Sequence, residues 1–155
     1  MDPLTIRVGK LSDHDAIRQC VDEAYTPYIH RLGKRPASIE TDFTPLLRDG
    51  RVWVAETEER VVGLIVLNKD GPEPEIRSVA VLPVVQRHGI GRALVAHAEK
   101  AAREAGHSNV RLYTNANIPE LVGYYTGLGY VEVERRLDGG YDRTFMRKRL
   151  DANTT

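Results

Sequence analysis

The segment Gln86-Arg87-His88-Gly89-Ile90-Gly91-Arg92 combines two glycines, two arginines and the start of an apolar helical pattern. Residues of these types in this order hold phosphate. The first turn of a helix carries backbone N–H groups with no intrahelical acceptor, together with the positive end of the macrodipole. Glycines let that end approach an anion closely, and Arg87 and Arg92 set cations beside it. The same letters would also serve a plain strand-to-helix turn. Spacing excludes two familiar phosphate loops. No lysine is followed by serine or threonine, so there is no Walker loop, and Leu94 stands where a dinucleotide fingerprint needs its third glycine.

The elements that must position this loop are legible on either side of it. Upstream, Ile76, Val79 and Val81 form a β-branched run ended by Pro83; downstream, Leu94, Val95, Ala98, Ala101, Ala102 and Ala105 recur at helical spacing until Gly106. Further out, Thr5 to Lys10 alternates as a strand, and Ser12-x-x-Asp15 resembles a capping box opening a helix to about Tyr25. Tyr28 to Pro36 reads as a loop, followed by a short helix from about Ile39 to Arg48. Val52 to Thr57 and Val61 to Asn68 flank the charged turn Glu58-Glu59-Arg60 as a hairpin, and Asp70-Gly71-Pro72 turns the chain into a strand from Glu75 to Val81. Val110 to Thr114 is a strand. Pro119 and Gly127 bracket a short helix, and strands from Val131 to Arg136 and from Arg143 to Leu150 flank the Asp138-Gly139-Gly140 turn. The order β-α-α-β-β-β-α-β-α-β-β predicts an α+β domain spanning residues 1–150, with a disordered tail at 151–155.

Two motifs identify a family. Gln86-x-x-Gly89-x-Gly91 resembles the pyrophosphate loop of the Gcn5-related N-acetyltransferases (GNAT), and Tyr125-Thr126-Gly127-Leu128-Gly129-Tyr130 is similar to that family's Tyr-x-x-Leu-Gly-Phe/Tyr motif. The likeness is motif-grade from Glu75 to Tyr130 and one of layout elsewhere. It implies a three-layer α/β/α sandwich with a mixed, mostly antiparallel central sheet. It also implies acetyl-coenzyme A as acetyl donor and a primary amine of a small molecule or peptide as acceptor, attacked directly in a ternary complex.

Site roles follow from the same resemblance. Main-chain N–H groups of Arg87, His88, Gly89, Ile90, Gly91 and Arg92 would bind the pyrophosphate, with Gln86 opening the loop. The main chain of Val79, Ala80 and Val81 would pair with the pantetheine arm and offer an N–H to the thioester oxygen. Tyr125 would protonate the leaving thiolate, since a phenol of pKa about 10 can supply a thiol of about 8.5; a packed aromatic would look the same. Neighbouring Tyr124 points elsewhere, to core or substrate wall. Asn117 would contact coenzyme, although it precedes Tyr125 by eight residues where seven is commonest, and Asn115 is a further option. Glu75 is the first candidate base and Glu73 the fallback, against the plain reading of a solvated strand-end carboxylate. Tyr25, Tyr28, His30, Arg31, Arg35, Arg136, Asp138 and Tyr141 are candidate walls for the acceptor.

Composition narrows the class. The chain has 155 residues, 41% of them hydrophobic, enough for a core but without an apolar run that spans a membrane. Twenty-two basic residues balance 22 acidic ones, which argues against nucleic acid or an anionic membrane as partner. Arg147-Lys148-Arg149 reads as the decoration of a strand end. Met1-Asp2-Pro3 begins no signal peptide, and the lone Cys20 has no disulfide partner, so a cytoplasmic setting is expected, with Cys20 in the core. His14, His30, His88, His97 and His107 show no metal-ligand spacing, so no metal is expected. A homodimer is compatible with all of this. Two rival readings stand: a non-catalytic acyl-coenzyme A sensor or interaction module of the same fold, and an acyltransferase with another donor or a protein N-terminus as acceptor.

Overall fold

The computed structural model describes residues 3–32, 41–86 and 88–150. The strands are β1 (Thr5–Val8), β2 (Val52–Thr57), β3 (Arg60–Asn68), β4 (Glu75–Val81), β5 (Asn109–Asn115), β6 (Val131–Asp138) and β7 (Tyr141–Arg149). The helices are α1 (His14–Leu32), α2 (Thr44–Arg48), α3 (Ile90–Glu104) and α4 (Pro119–Gly127), with 3-10 turns at Leu11–Asp13 and Pro83–Val85. The strands join one sheet in the order β1-β2-β3-β4-β5-β7-β6. β1 with β2, β2 with β3, β5 with β7 and β6 with β7 are antiparallel, whereas β4 and β5 are parallel. A parallel pair needs a crossover; here α3 supplies it. The fold is α+β with a mixed, mostly antiparallel sheet, as expected.

Contacts group the chain into two units that share β4: Met1–Leu67 with Ser78–Ala98, and Asn68–Arg77 with Glu99–Thr155. In the first, β2 and β3 are buried almost throughout, which explains their continuous apolar runs. Ile17, Cys20 and Val21 of α1, and Ile90, Leu94 and Ala98 of α3, are buried there too. Trp53 takes the His97 ring edge-on at 5.5 Å. In the second unit β5 alternates between buried and half-buried positions, with Val110 and Leu112 at or below 1% exposure beside buried Tyr130, Phe145 and Met146.

The structure corrects four local expectations. α1 does not stop near Tyr25 but continues to Leu32, through Pro27. Proline leaves the Glu23 carbonyl without its helical donor, yet side chains hold the helix on both sides of the gap. The Thr26 hydroxyl donates to the Asp22 carbonyl, the Tyr25 hydroxyl donates to the Val79 carbonyl at 2.9 Å, and the Tyr25 and Tyr28 rings lie 6.3 Å apart. The capping carboxylate is Asp13, which accepts the Lys10 N–H at 2.8 Å, and not Asp15, which is exposed. Asp13 is selected because Arg7 grips it with both terminal guanidinium nitrogens, at 2.8 and 3.0 Å, which holds its carboxyl below the usual carboxylate range. α2 begins at Thr44, after the exposed or half-buried residues 41 and 42, while positions 39 and 40 lie outside the described residues. Gly127 is the last residue of α4 rather than the one beyond it; the chain turns at Gly129, whose φ is +98°.

Candidate functional site

The first group of candidates lies at the junction of β4 with α3. Gly89 has φ +79°, a conformation in which side chains are strained, and nothing lies within 4 Å of where its Cβ would be. Its carbonyl accepts the Ala93 N–H at 3.0 Å as the first α3 bond. The N–H groups of Ile90, Gly91 and Arg92 therefore have no intrahelical acceptor. Ile90 is 1% exposed and anchors the turn, while His88, Gly89 and Arg92 are exposed. Arg87 lies outside the described residues. An exposed, glycine-led helix start next to a cationic side chain can hold an anion by its main chain.

Along β4, Ile76, Ser78 and Ala80 are buried and the residues between them are more exposed. Leu82 donates to the Val62 carbonyl in β3, and the Ala80 carbonyl lies 3.0 Å from where Gly63 of β3 would carry a Cβ. Backbone groups at these even positions face β3, so the carbonyls of Val79 and Val81 face the other way. Each of the latter receives a side chain: Tyr25 Oη donates to Val79, and Gln86 Nε2 donates to Val81 at 3.0 Å.

A second group of candidates lies in the other unit. Tyr125 on α4 is 9% exposed, with its ring edge-on to Tyr124 at 5.1 Å and to Tyr130 at 6.0 Å. Tyr124 is 41% exposed. Asn115 Oδ1 accepts the Asn117 N–H at 2.8 Å, so Asn115 builds the turn into α4, and Asn117 is exposed. Glu75 opposes Arg111 in the β4–β5 register. Its Oε1 accepts from Arg77 Nε at 2.7 Å, and its Oε2 lies 3.1 Å from Arg111 Nε, a contact that is ionic rather than an aligned hydrogen bond. Glu73 is similarly held, by Arg147 at 2.7 and 2.8 Å.

Among the acceptor-wall candidates, Arg136 stacks on the Phe145 ring at 4.3 Å, and Asp138 pairs with Arg143 at 2.7 Å. Arg143 in turn covers Tyr113 at 4.2 Å and lies 5.5 Å from the centre of the Tyr141 ring. Tyr28 lies on α1 beside Tyr25. His30 and Arg31 fall on α1, and Arg35 lies outside the described residues. Cys20 is fully buried, with Sγ 3.8 Å from the Val62 carbonyl, and burial pushes its thiol up to about 12. Among the described residues no group of three or more His, Cys, Asp or Glu could hold a metal ion, and no helix is long and apolar enough to cross a membrane.

Sequence reasoning missed Gly63. A Cβ there would sit 3.0 Å from the Ala80 carbonyl oxygen, 3.2 Å from Leu94 and 3.4 Å from Ile90, so this glycine lets the first turns of α3 press onto β3. A glycine inside an apolar strand is the available signal of such close approach.

The GNAT acetyltransferase family model matches residues 15–130, a range that contains the glycine turn, β4 and α4. The chain belongs to the GNAT family. No curated protein matches it. Among solved structures, a PaiA N-acetyltransferase from Thermoplasma acidophilum in complex with coenzyme A is similar over 95% of this chain and 99% of that one, with 20% identity and a TM-score of 0.75. The ribosomal-protein-S18-alanine N-acetyltransferase of Escherichia coli is similar over 96% and 94%, with 19% identity and a TM-score of 0.72. An N-acetylglutamate synthase from Neisseria gonorrhoeae complexed with coenzyme A and N-acetyl-glutamate shares 17% identity over 97% of this chain and 36% of its own, with a TM-score of 0.73. At these identities the likeness is one of fold. One of these proteins is named for a protein alanine and another is complexed with N-acetyl-glutamate, so the GNAT fold does not select an acceptor.

Proposed function

We propose that this GNAT protein transfers the acetyl group of acetyl-coenzyme A to a primary amine of a small molecule or peptide, within a ternary complex. The observation that carries this reading is the start of α3, where Gly89 at positive φ has open space beside its α-carbon and its carbonyl accepts the first helical bond, so the next three N–H groups lack an intrahelical acceptor. Support comes also from the family match and from the coenzyme A bound in structures of the same fold. In this reading the main chain from Arg87 to Arg92 binds the pyrophosphate. Val79, Ala80 and Val81 carry the pantetheine arm and supply an N–H to the thioester oxygen. Asn117 contacts the coenzyme.

The amine nitrogen attacks the thioester carbon, and the carbon–sulfur bond breaks as the tetrahedral oxyanion collapses. The leaving thiolate takes the Tyr125 phenolic proton. The proton of the incoming amine passes to Glu75, directly or through water; solvent then restores the Tyr125 proton and takes the one from Glu75. A cytoplasmic setting accompanies the free, buried Cys20.

One observation favours the sensor reading instead: both oxygens of Glu75 are engaged by arginine. Thiol release from acetyl-coenzyme A against pooled amines, polyamines, amino acids, aminoglycosides and N-terminal peptides, beside calorimetry of coenzyme A, separates the two. Acceptor-dependent release supports the enzyme. Binding without release across the pool supports the sensor, and absence of binding overturns both.

A further inference from the structure

Behind Tyr125 lies a buried polar cluster that the reaction as written does not use. Glu99 of α3 is 6% exposed, unusual for a carboxylate. Its Oε2 accepts the Tyr130 hydroxyl at 2.8 Å, and its Oε1 accepts Lys148 Nζ of β7 at 3.0 Å. Lys148 Nζ also lies 5.7 Å from the centre of the Tyr130 ring. The lysine stem passes Gly129 so closely that a Cβ there would meet it at 3.3 Å. Tyr130 is 1% exposed, and burial, followed by the Glu99 charge, pushes its phenol far up, so it stays a neutral donor. Three elements are thus pinned at one carboxylate whose two oxygens are both satisfied.

The pinned residue is the one that touches Tyr125. The Tyr130 N–H donates to the Tyr125 carbonyl at 3.0 Å, and its ring meets the Tyr125 ring edge-on, 76° between planes. Tyr124 also meets the Tyr125 ring edge-on, at 5.1 Å, but is itself 41% exposed. The motif that Tyr130 closes accepts phenylalanine or tyrosine. A phenylalanine would fill the same space but could not reach Glu99, so the hydroxyl adds something beyond packing.

We propose that Tyr130, Glu99 and Lys148 form a buried positioning device that holds the Tyr125 ring in the orientation from which its hydroxyl serves the leaving thiolate. This rests on the role given to Tyr125 above. The three residues touch neither donor nor acceptor; they act through Tyr125 alone. Their contribution should therefore vanish when the Tyr125 hydroxyl is gone.

A double-mutant cycle tests this on the full chain. Thiol release from acetyl-coenzyme A is followed with an amine from the pool or, where none is accepted, with water, because the same thiolate leaves in each case. Tyr125→Phe should lower kcat by about a hundredfold, the low end of general acid catalysis. Tyr130→Phe should lower kcat by about tenfold alone and by less than about twofold in the Tyr125→Phe background, with coenzyme A affinity unchanged. Glu99→Leu, which removes the acceptor for the phenol and keeps an apolar side chain in the buried site, repeats the cycle should Tyr130→Phe fold poorly. An equal fold-loss in both backgrounds would show a general structural role and overturn the positioning proposal. So would full kcat in Tyr130→Phe with Tyr125→Phe impaired. Full kcat in Tyr125→Phe itself would instead remove the acid assignment, and the proposal with it.

Discussion

Replacing Gly63 with alanine adds one methyl group where β3 meets the start of α3. That carbon would lie 3.0 Å from the Ala80 carbonyl oxygen, 3.2 Å from Leu94 Cδ1 and 3.4 Å from Ile90 Cγ2. Carbon contacts are optimal near 3.5–4.0 Å, so the contact with Leu94 is compressed, as is the one with the carbonyl oxygen, while the one with Ile90 is ordinary. Leu94 and Ile90 are at most 1% exposed and have little room to yield, and the carbonyl moves only with β4. Overpacking of this kind costs about 1–3 kcal/mol. Gly63 is not among the positive-φ glycines, so alanine recovers about 0.4–1 kcal/mol by narrowing the unfolded ensemble. The net expectation is a loss of about 1–2 kcal/mol, a fall in Tm of about 2–8 °C for a chain of this size. Relief must push the first turns of α3 away from β3, so coenzyme A affinity should fall as well. Gly123→Ala is the control: it lies inside α4 with nothing within 4 Å of the new carbon and should stabilise by up to about 1 kcal/mol. Thermal melts and calorimetry of coenzyme A read both variants. A Gly63→Ala protein that melts at or above the parent and binds coenzyme A equally well would refute the claim that this glycine seats the loop helix.

Gly89→Glu strains the backbone at φ +79° and sets a carboxylate against the pyrophosphate, a repulsion of about 4 kcal/mol per charge at 4 Å in a partly screened site; calorimetry should show coenzyme A binding lost, whereas Tyr125→Phe should bind normally and turn over slowly. Cys20 ordinarily ionises at 9.0 but is pushed up to about 12 by burial, so its folded-state pKa is the raised one. Its stabilising effect is whole below pH 9.0 and drains away as pH rises to about 12, by up to about 4 kcal/mol. Melts across this range should fall more steeply for the parent than for Cys20→Ala, and parallel slopes would contradict the assignment. In the β2–β3 turn, Glu58 and Glu59 have φ of 52° and 60°; Glu59→Gly should raise stability by about 0.5–1 kcal/mol by removing left-handed strain, measured by urea unfolding.

What was legible in the sequence is what short-range physics writes there. The strand, glycine turn and helix around Gly89 are consecutive, so apolar periodicity and two glycines disclose them; Asp138-Gly139-Gly140 discloses the β6–β7 hairpin in the same way. α1 shows where that stops. Pro27 is a local instruction to end the helix, and it is overruled by Tyr25 reaching a carbonyl 54 residues away. The cap went to Asp13 over Asp15 because Arg7, itself held by Glu56 of β2, selects between two carboxylates that look alike in sequence. Roles in the site divide along the same line. Residue type and motif single out Tyr125, but what holds its ring is a carboxylate shared by residues 31 and 49 positions away from it, and no spacing rule links them. Glu75 is the sharper case. Its chemistry as a carboxylate is plain from its letter, but its ion pair with Arg111 is not, because the two face each other only through the parallel pairing of β4 and β5. The candidates a motif names are thus legible by residue type, while their long-range partners become visible only when the sheet is assembled.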